Sequence, residues 1–258
     1  MENPTRLHQL HKGHLTDDMT LAKIALRADP YAAVLDRHRL DFCCHGGRTL
    51  AQACAETGLE VALVLAELRG EAAARATSTT IEIDWNHRSL PELVDFIVDT
   101  HHTFTRAAIA RITPLLAKVG GKHAHRHPEL LRVAASFDEL ATDMGPHMFR
   151  EERVLFPYMR ALASPAGAAS PPFVTVRNPV GMMMQEHDRA GELLAEISAA
   201  TTDFAPPTNA CPSFQALYAA LAGLRLDLMK HVALENSVLF PRAVALEDQQ
   251  HALAAGIG

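Results

Sequence analysis

The sequence has little of what marks several large classes of protein. Only 5% of its 258 residues are aromatic, and its four cysteines are too few for a disulfide framework. It contains no run of 18 apolar residues, so no membrane-spanning helix is predicted. The first residues, MENPTRLHQLHKGHLTDD, lack the apolar core of a signal peptide. These absences predict a cytoplasmic protein without membrane partners, in a compartment that keeps thiols reduced.

An excess of basic charge is also missing. The formal net charge is −6 and the sequence pI is near 6.2. Nucleic-acid binding needs a stripe of lysine and arginine that neutralises phosphates, so no nucleic-acid partner is predicted. Alanine and leucine are abundant instead, and no segment alternates polar and apolar residues as a strand does. An all-α fold is therefore predicted.

One phrase occurs twice in the chain. Residues 147–157 read HMFREERVLFP, and residues 231–241 read HVALENSVLFP. In both copies Glu follows His by four residues, which places the two side chains on one helix face, one turn apart. There they can reach the same metal ion. A single His-x-x-x-Glu is common by chance, but two in matching contexts indicate a duplicated metal-binding half and a two-metal centre.

Each copy of the phrase is preceded by a lone histidine. His102 lies 45 residues before His147, and His187 lies 44 residues before His231. Each half therefore reads as a histidine on one helix followed by His-x-x-x-Glu on the next. Two such hairpins form a four-helix bundle whose ligands point inward. His101 is an alternative to His102, but its spacing matches less closely. The predicted ligands are His102, His147, Glu151, His187, His231 and Glu235.

The donor set restricts the metal. Six donors are too many for one tetrahedral zinc ion, so two ions sharing the carboxylates are predicted. Imidazole together with carboxylate fits iron best, with manganese as the second choice. The alternative is that these side chains are surface residues of amphipathic helices, and the repetition argues against it. Two nearby acidic residues, Asp143 and Glu186, are interpreted as solvated charges.

Changes in composition divide the chain into domains. Residues 16–75 are predicted to form a small helical domain, and the polar, threonine-rich residues 76–88 a linker. Residues 89–247 would form the metal-binding bundle. A connector rich in proline, serine and glycine at 164–178 separates its two halves.

Local signals predict where bundle helices begin. Ser89 followed by Glu92 is a capping-box pattern for the first helix. Asn178-Pro179 predicts the start of the third helix, with asparagine as its cap. Pro146 lies directly before His147, where it removes a helical hydrogen bond and is expected to kink the second helix.

A pair of cysteines lies in the small domain, in the phrase LDFCCHGGRTL at 40–50. The Cα atoms of Cys43 and Cys44 are about 3.8 Å apart, as in any neighbouring residues. That is below the usual disulfide range, so a bridge between them would be strained and easily reduced. One interpretation is a redox-active or iron-handling thiol pair. The other is two small core hydrophobes.

These motifs together resemble the repair-of-iron-centres family, which comprises hemerythrin-like di-iron proteins linked to recovery of iron–sulfur clusters after nitrosative and oxidative stress. Asp-Phe-Cys-Cys followed by Gly-Gly is similar to the family's N-terminal signature. The phrases HMFREERVLFP, QEHDRAGELL and HVALENSVLFP resemble its metal-binding helices. The chain departs from the pattern at His45, which is inserted between the cysteine and glycine pairs. The 164–178 connector also looks longer than in the family.

The resemblance implies a hemerythrin-like four-helix bundle holding two iron ions, with Glu151 and Glu235 as bridging ligands. It implies repair of damaged iron–sulfur proteins by supply of iron, with Cys43 and Cys44 in redox or iron transfer. It is compatible with a homodimer. Nitric oxide and O₂ are the small ligands expected at the irons. Whether the chain is an enzyme stays open, because the same site could reduce nitric oxide or bind either gas as a sensor or carrier.

Overall fold

The computed structural model describes residues 15–75, 84–164 and 173–255, and these form helices without a β-strand. An all-α fold is confirmed for this part of the chain. The chain divides into two compact units, Met1–Ile83 and Asp84–Gly258. Residues 76–83 of the predicted linker and 165–172 of the connector lie outside the described residues.

The first unit consists of short helices around a small apolar core. In chain order they are α1 (Leu21–Ala25), α2 (Asp29–Arg37), α3 (Leu50–Thr57) and α4 (Val61–Arg75). Thr49 caps α3, and its backbone N–H donates to the Gln52 side chain in return. The segment between α2 and α3 carries the cysteine pair. Phe42, fully buried beside that pair, anchors the segment in the core.

The second unit contains four long helical runs, and three of them include a π-helical turn. The first run joins α5 (Leu90–Phe96), the turn Ile97–His102 and α6 (Thr103–His123); the second joins α7 (Glu129–Arg150), the turn Glu151–Leu155 and α8 (Phe156–Leu162); the third is α9 (Arg177–Ala200); the fourth joins α10 (Pro212–Leu234), the turn Glu235–Leu239 and α11 (Phe240–Ala255). None of the helices in these described ranges is long and apolar enough to span a membrane.

Helix α7 packs mainly against α9, and α6 packs mainly against α10. The buried residues of α7 recur every three or four positions, from Val133 through Phe137 and Leu140 to His147. This spacing forms one apolar stripe that faces the bundle interior. Burying each large apolar side chain contributes about 1.5–3 kcal/mol. The same packing therefore carries the ligand-type residues at the end of the stripe into the core.

The start of one bundle helix was predicted correctly from the sequence, and the start of another was not. The Ser89 capping box is confirmed: its backbone N–H donates to Glu92 at 2.7 Å. The prediction for Asn178 is wrong, because α9 already begins at Arg177. The Glu247 carboxylate accepts the Val176 backbone N–H at 2.9 Å. This distant carboxylate supplies a cap that no local pattern reveals.

Helix α7 includes Pro146 and continues to Arg150, and a π-helical turn begins at Glu151. The π turns widen the helix by one residue per turn, and such turns occur frequently at functional sites. Each of the three carries one predicted ligand, namely His102, Glu151 or Glu235. The sequence analysis did not predict these turns.

Candidate metal centre

The structure brings the six predicted ligands together inside the bundle. They come from all four helical runs, and each is at most 1% exposed. Their donor atoms form two groups, and within each group all donors lie within 4.8 Å of one another. Glu151 and Glu235 belong to both groups. One group adds His102 and His231, and the other adds His147 and His187.

All four imidazoles present their Nε2 atoms to the shared carboxylates. Glu151 Oε2 lies 3.2 Å from His102 Nε2 and 3.3 Å from His147 Nε2. Glu235 lies 3.1 Å from the Nε2 atoms of both His187 and His231. Metal–ligand bonds of about 2.0–2.2 Å, with angles of about 90–110° at the ion, place neighbouring donor atoms about 2.8–3.6 Å apart. The donors therefore already have the spacing of a metal coordination shell.

The donor atoms also lack the partners that buried polar groups need. Both carboxylate oxygens of Glu151 and of Glu235 have no hydrogen-bond partner among the described residues. The same is true of Nε2 of His102 and of His231. Each such atom costs about 1–3 kcal/mol, and charged groups cost more. Two cations shared by the carboxylates would satisfy these atoms, so the residues fit a pair of metal ions.

The outer nitrogens of three ligand-type histidines are held by neighbouring side chains. His102 Nδ1 lies 2.7 Å from Glu152 Oε1, and His147 Nδ1 lies 2.8 Å from Glu186 Oε2. His187 Nδ1 lies 3.0 Å from Oδ1 of Asn236. Such hydrogen bonds fix the ring orientation, with Nδ1 towards the supporting side chain and Nε2 towards the shared carboxylates, where a metal ion would bind.

Arginines keep two of these acceptors ionised. Arg106 lies 2.6 Å from Glu152, and Arg150 lies 2.5 Å from Glu186. Burial alone would raise the pKa values of the two carboxyl groups, but the arginine and histidine hydrogen bonds hold them below their usual range. Glu186 is therefore a functional contact, which corrects its interpretation as a solvated charge. Asp143 is exposed, as predicted.

His231 is oriented differently. Its Nδ1 has no hydrogen-bond partner among the described residues. Its ring stacks on His101, with centroids 5.6 Å apart and planes within 3°. Both carboxylate oxygens of Asp227 lie 3.1 Å from His101 Nδ1. The structure thus places His102 inside a donor group and His101 beside it, as a support for His231.

The duplication extends to these supporting residues. The residue after each shared glutamate, Glu152 or Asn236, contacts the lone histidine of its own half. The residue before each lone histidine contacts a histidine of the other half. His101 contacts His231, and Glu186 contacts His147. These contacts were not predicted from the sequence, because each of them joins residues that are far apart in the chain.

The repeated Val-Leu-Phe-Pro phrase has a role in the same symmetry. The Phe156 ring stacks on His102 at 5.7 Å, and the Phe240 ring stacks on His187 at 6.0 Å. Both phenylalanines are almost fully buried. Each therefore packs a lone histidine in place and keeps water from its ring.

The charges inside the centre support one another. Burial would raise the pKa of Glu235, but His231 and His187 hold it well below its usual range. Burial would lower the pKa of His187, yet the Glu235 carboxylate raises it to about 9. The pKa of His231 is lowered by burial. The bridging-type carboxylate is thus held ionised, which is the form that binds cations.

A further donor group lies in the first unit. Atoms of Asp41, Cys43 and Cys44 lie within 4.8 Å of one another. Cys43 is buried, and contact with Cys44, burial and the charge of Asp41 all raise the pKa of its thiol. Cys44 is half-buried, while Cys54 is buried in α3. The small-domain cysteine pair therefore lies beside a carboxylate and not in a purely apolar environment.

Two protein families match the chain. The Hemerythrin HHE cation binding domain matches residues 93–243, and the ScdA_N domain, described as a domain of unknown function (DUF542), matches residues 17–72. The second match covers the unit with the cysteine pair. The first covers more than half of the chain and all six clustered donors. The bundle is therefore a hemerythrin-type cation-binding domain.

Curated relatives extend this match over most of the chain. Proteins named iron-sulfur cluster repair protein YtfE, from Escherichia coli O17:K52:H18 (strain UMN026 / ExPEC) and Shigella boydii serotype 4 (strain Sb227), are 34% identical to it over 230 residues. The alignment covers 89% of this chain and 98% of each relative. This chain belongs to the repair-of-iron-centres family, and the resemblance seen in the sequence is confirmed.

Proposed function

We propose that this chain is a cytoplasmic di-iron protein that repairs iron–sulfur clusters damaged by nitrosative or oxidative stress, by supplying iron. The similarity to proteins named iron-sulfur cluster repair protein supports the repair activity. One observation carries the metal assignment: two fully buried glutamates are shared by two groups of histidines, and their oxygens have no hydrogen-bond partner in the described part of the chain.

The proposed ligands are the six clustered side chains. His102 and His231 would bind one iron, and His147 and His187 the other, with Glu151 and Glu235 shared. Imidazole combined with shared carboxylates favours iron, and manganese is the second choice. Bound iron would supply both a redox-active ion and the element that a damaged cluster has lost.

The chain's own side chains prepare the centre for this work. Glu152 and Glu186 orient histidines and keep Nε2 available, while the stacked phenylalanines exclude water from the rings. Damaged iron–sulfur proteins are the proposed clients, and nitric oxide and O₂ the proposed small ligands. We assign Cys43 and Cys44 to iron or electron transfer. Residues 16–75 and 89–247 remain our proposed domain boundaries.

Metal content tests the centre first. Iron, manganese and zinc are counted per chain in protein purified without oxygen. We expect close to two irons in the wild type and loss of iron in His147→Ala and His231→Ala. His125→Ala changes an exposed histidine outside the cluster and serves as the matched control. One zinc per chain, or two irons retained in both ligand variants, would contradict the assignment.

Activity measurements then separate repair from the other functions of such a centre. Iron-loaded protein is mixed with an iron–sulfur enzyme inactivated by nitric oxide, and both enzyme recovery and iron loss are followed. Repair predicts that recovery rises as iron leaves, and that Cys43→Ala slows it. Steady consumption of nitric oxide with an electron donor, without iron loss, would instead indicate a reductase. Saturable gas binding without turnover would indicate a sensor or carrier.

A further inference from the structure

We propose that Asp41, Cys43 and Cys44 bind a single thiophilic divalent ion of the Zn²⁺ or Fe²⁺ class, at a site distinct from the bundle centre. The three side chains belong to the first unit, and their donor atoms lie within 4.8 Å of one another. Thiolates select such ions, and a carboxylate oxygen is a common additional ligand. The site requires no iron in the bundle.

The donor separations fit one small ion. The Cys43 and Cys44 sulfur atoms are 3.6 Å apart, and Cys43 Sγ lies 3.1 Å from Asp41 Oδ1. A tetrahedral ion with metal–sulfur bonds of about 2.3 Å places two sulfurs about 3.8 Å apart, and a sulfur and an oxygen about 3.5 Å apart. For these two pairs of donors, binding therefore needs shifts of only a few tenths of an ångström, and the third pair lies within 4.8 Å. A disulfide would need the sulfurs to approach to about 2.05 Å.

The loop that carries these donors is held in its conformation by the fold. Asp41 Oδ1 accepts the backbone N–H groups of Cys43 at 3.0 Å and Cys44 at 3.1 Å. Gly46 passes so close to Phe42 that a Cβ atom there would lie 2.3 Å from the Phe42 carbonyl oxygen. The Gly46 carbonyl in turn accepts the Ala22 N–H at 3.0 Å. The donors are thus preorganised, which reduces the conformational cost of binding.

His45 has a positioning role in this site. Its Nδ1 lies 2.6 Å from Asp41 Oδ2, which is a short hydrogen bond, so His45 is assigned as a partner of the carboxylate and not as a further ligand. The bond holds the carboxylate with Oδ1 towards the sulfurs, as carboxylate–histidine pairs do at other metal sites. This leaves three protein ligands and one open coordination position. An open position is typical of sites whose ion reacts or is exchanged.

Metal binding at this site is coupled to the release of protons. Each thiol releases its proton to solvent as its sulfur forms a bond to the ion, so two protons leave per ion bound. Proton release therefore provides a readout that is independent of any repair activity.

Cobalt(II) is the probe for this site, because cysteine thiolate bound to cobalt gives an intense charge-transfer absorption that imidazole and carboxylate ligands do not. Full-length protein with iron already in the bundle is titrated under reducing conditions. We expect one cobalt per chain, displacement by Zn²⁺, and two protons released. Cys43→Ser and Cys44→Ser should each abolish the absorption, and the matched control Cys211→Ser should keep it.

Two further variants test the roles within the site. Asp41→Asn retains an oxygen that accepts the loop N–H groups, so it should keep the fold and weaken binding. His45→Ala should weaken binding about 10- to 100-fold. No absorption from wild-type protein whose two thiols are shown to be reduced would overturn the site, as would absorption that survives Cys43→Ser. Unchanged affinity in His45→Ala would overturn the role of His45.

Discussion

Glu186 offers a sharp test of how the bundle centre is supported, because it contacts a ligand-type histidine without being a ligand itself. It accepts a hydrogen bond from His147 Nδ1 at 2.8 Å and pairs with Arg150. Hydrogen bonds to charged groups contribute about 1.5–3 kcal/mol. The Glu186 side chain is 29% exposed, so solvent screening favours the lower part of this range. Glu186→Ala should therefore weaken iron binding by about 1.5–2 kcal/mol, or about 10- to 30-fold.

The assay is competition for ferrous iron against a chelator of known affinity, without oxygen. Glu186→Gln keeps an acceptor for Nδ1 but loses the charge, so its affinity should fall between those of wild type and Glu186→Ala. Glu196→Ala is the matched control. Glu196 also lies on α9 and accepts a hydrogen bond from Ser136 of α7 at 2.8 Å, but it does not contact the centre.

Two results would refute this reasoning. Wild-type iron affinity in Glu186→Ala would show that packing alone orients His147. An equal loss in Glu196→Ala would show that the effect comes from the contact between α7 and α9 and not from the histidine. A loss confined to Glu186→Ala, with unchanged helix content, supports the orienting role.

Three further variants test other parts of the structure. Glu247→Gln replaces the carboxylate that caps α9, and should cost about 1–3 kcal/mol of unfolding free energy at neutral pH. Burial raises the pKa of Glu247, but its hydrogen bonds hold it below the ordinary 4.5. The stabilisation that Glu247 provides is thus present above pH 4.5 and is lost as the pH falls through the pKa of Glu247 in the folded protein. In acid denaturation curves, the difference in unfolding free energy between wild type and Glu247→Gln should therefore disappear at low pH. Gly46→Ala should destabilise the first unit by about 1–3 kcal/mol, because the added Cβ atom would clash with the Phe42 carbonyl oxygen. Gly47→Ala should not destabilise the unit, because a Cβ atom there meets open space. Hydrogen exchange of the amides in this unit measures both effects. His101→Ala removes the ring stacked on His231 and should weaken iron binding about tenfold in the same chelator competition; unchanged binding would exclude the supporting role.

Whether a feature of this site could be predicted depends on how far apart in the chain the interacting residues lie. The spacing of His147 and Glu151 continues the apolar stripe of α7, so their inward orientation follows from local periodicity. The contacts of Glu152 and Glu186 span 50 and 39 residues, and no local pattern contains them. The misplaced start of α9 has the same cause, because its cap comes from a residue about 70 positions away.

The π turns escaped prediction for a different reason. A His-x-x-x-Glu pair has the same spacing in sequence whether the following turn is α or π. Two of the three widened turns begin at Glu151 and Glu235, the two carboxylates shared between the donor groups, and the third ends at His102. All three therefore lie at predicted ligands, and π turns occur frequently at functional sites.

The duplicated halves are similar in their ligands but not in their supports. His102 and His147 are held by ionised carboxylates, whereas His187 is held by the neutral Asn236, and His231 stacks on His101. Each donor group thus combines one histidine whose Nδ1 contacts a carboxylate with one whose Nδ1 does not. The departures from symmetry fall at the residues beside the ligands and leave the ligands unchanged. Duplication explains the shared framework of donor residues, while these neighbouring residues are where two bound ions would be given different affinities.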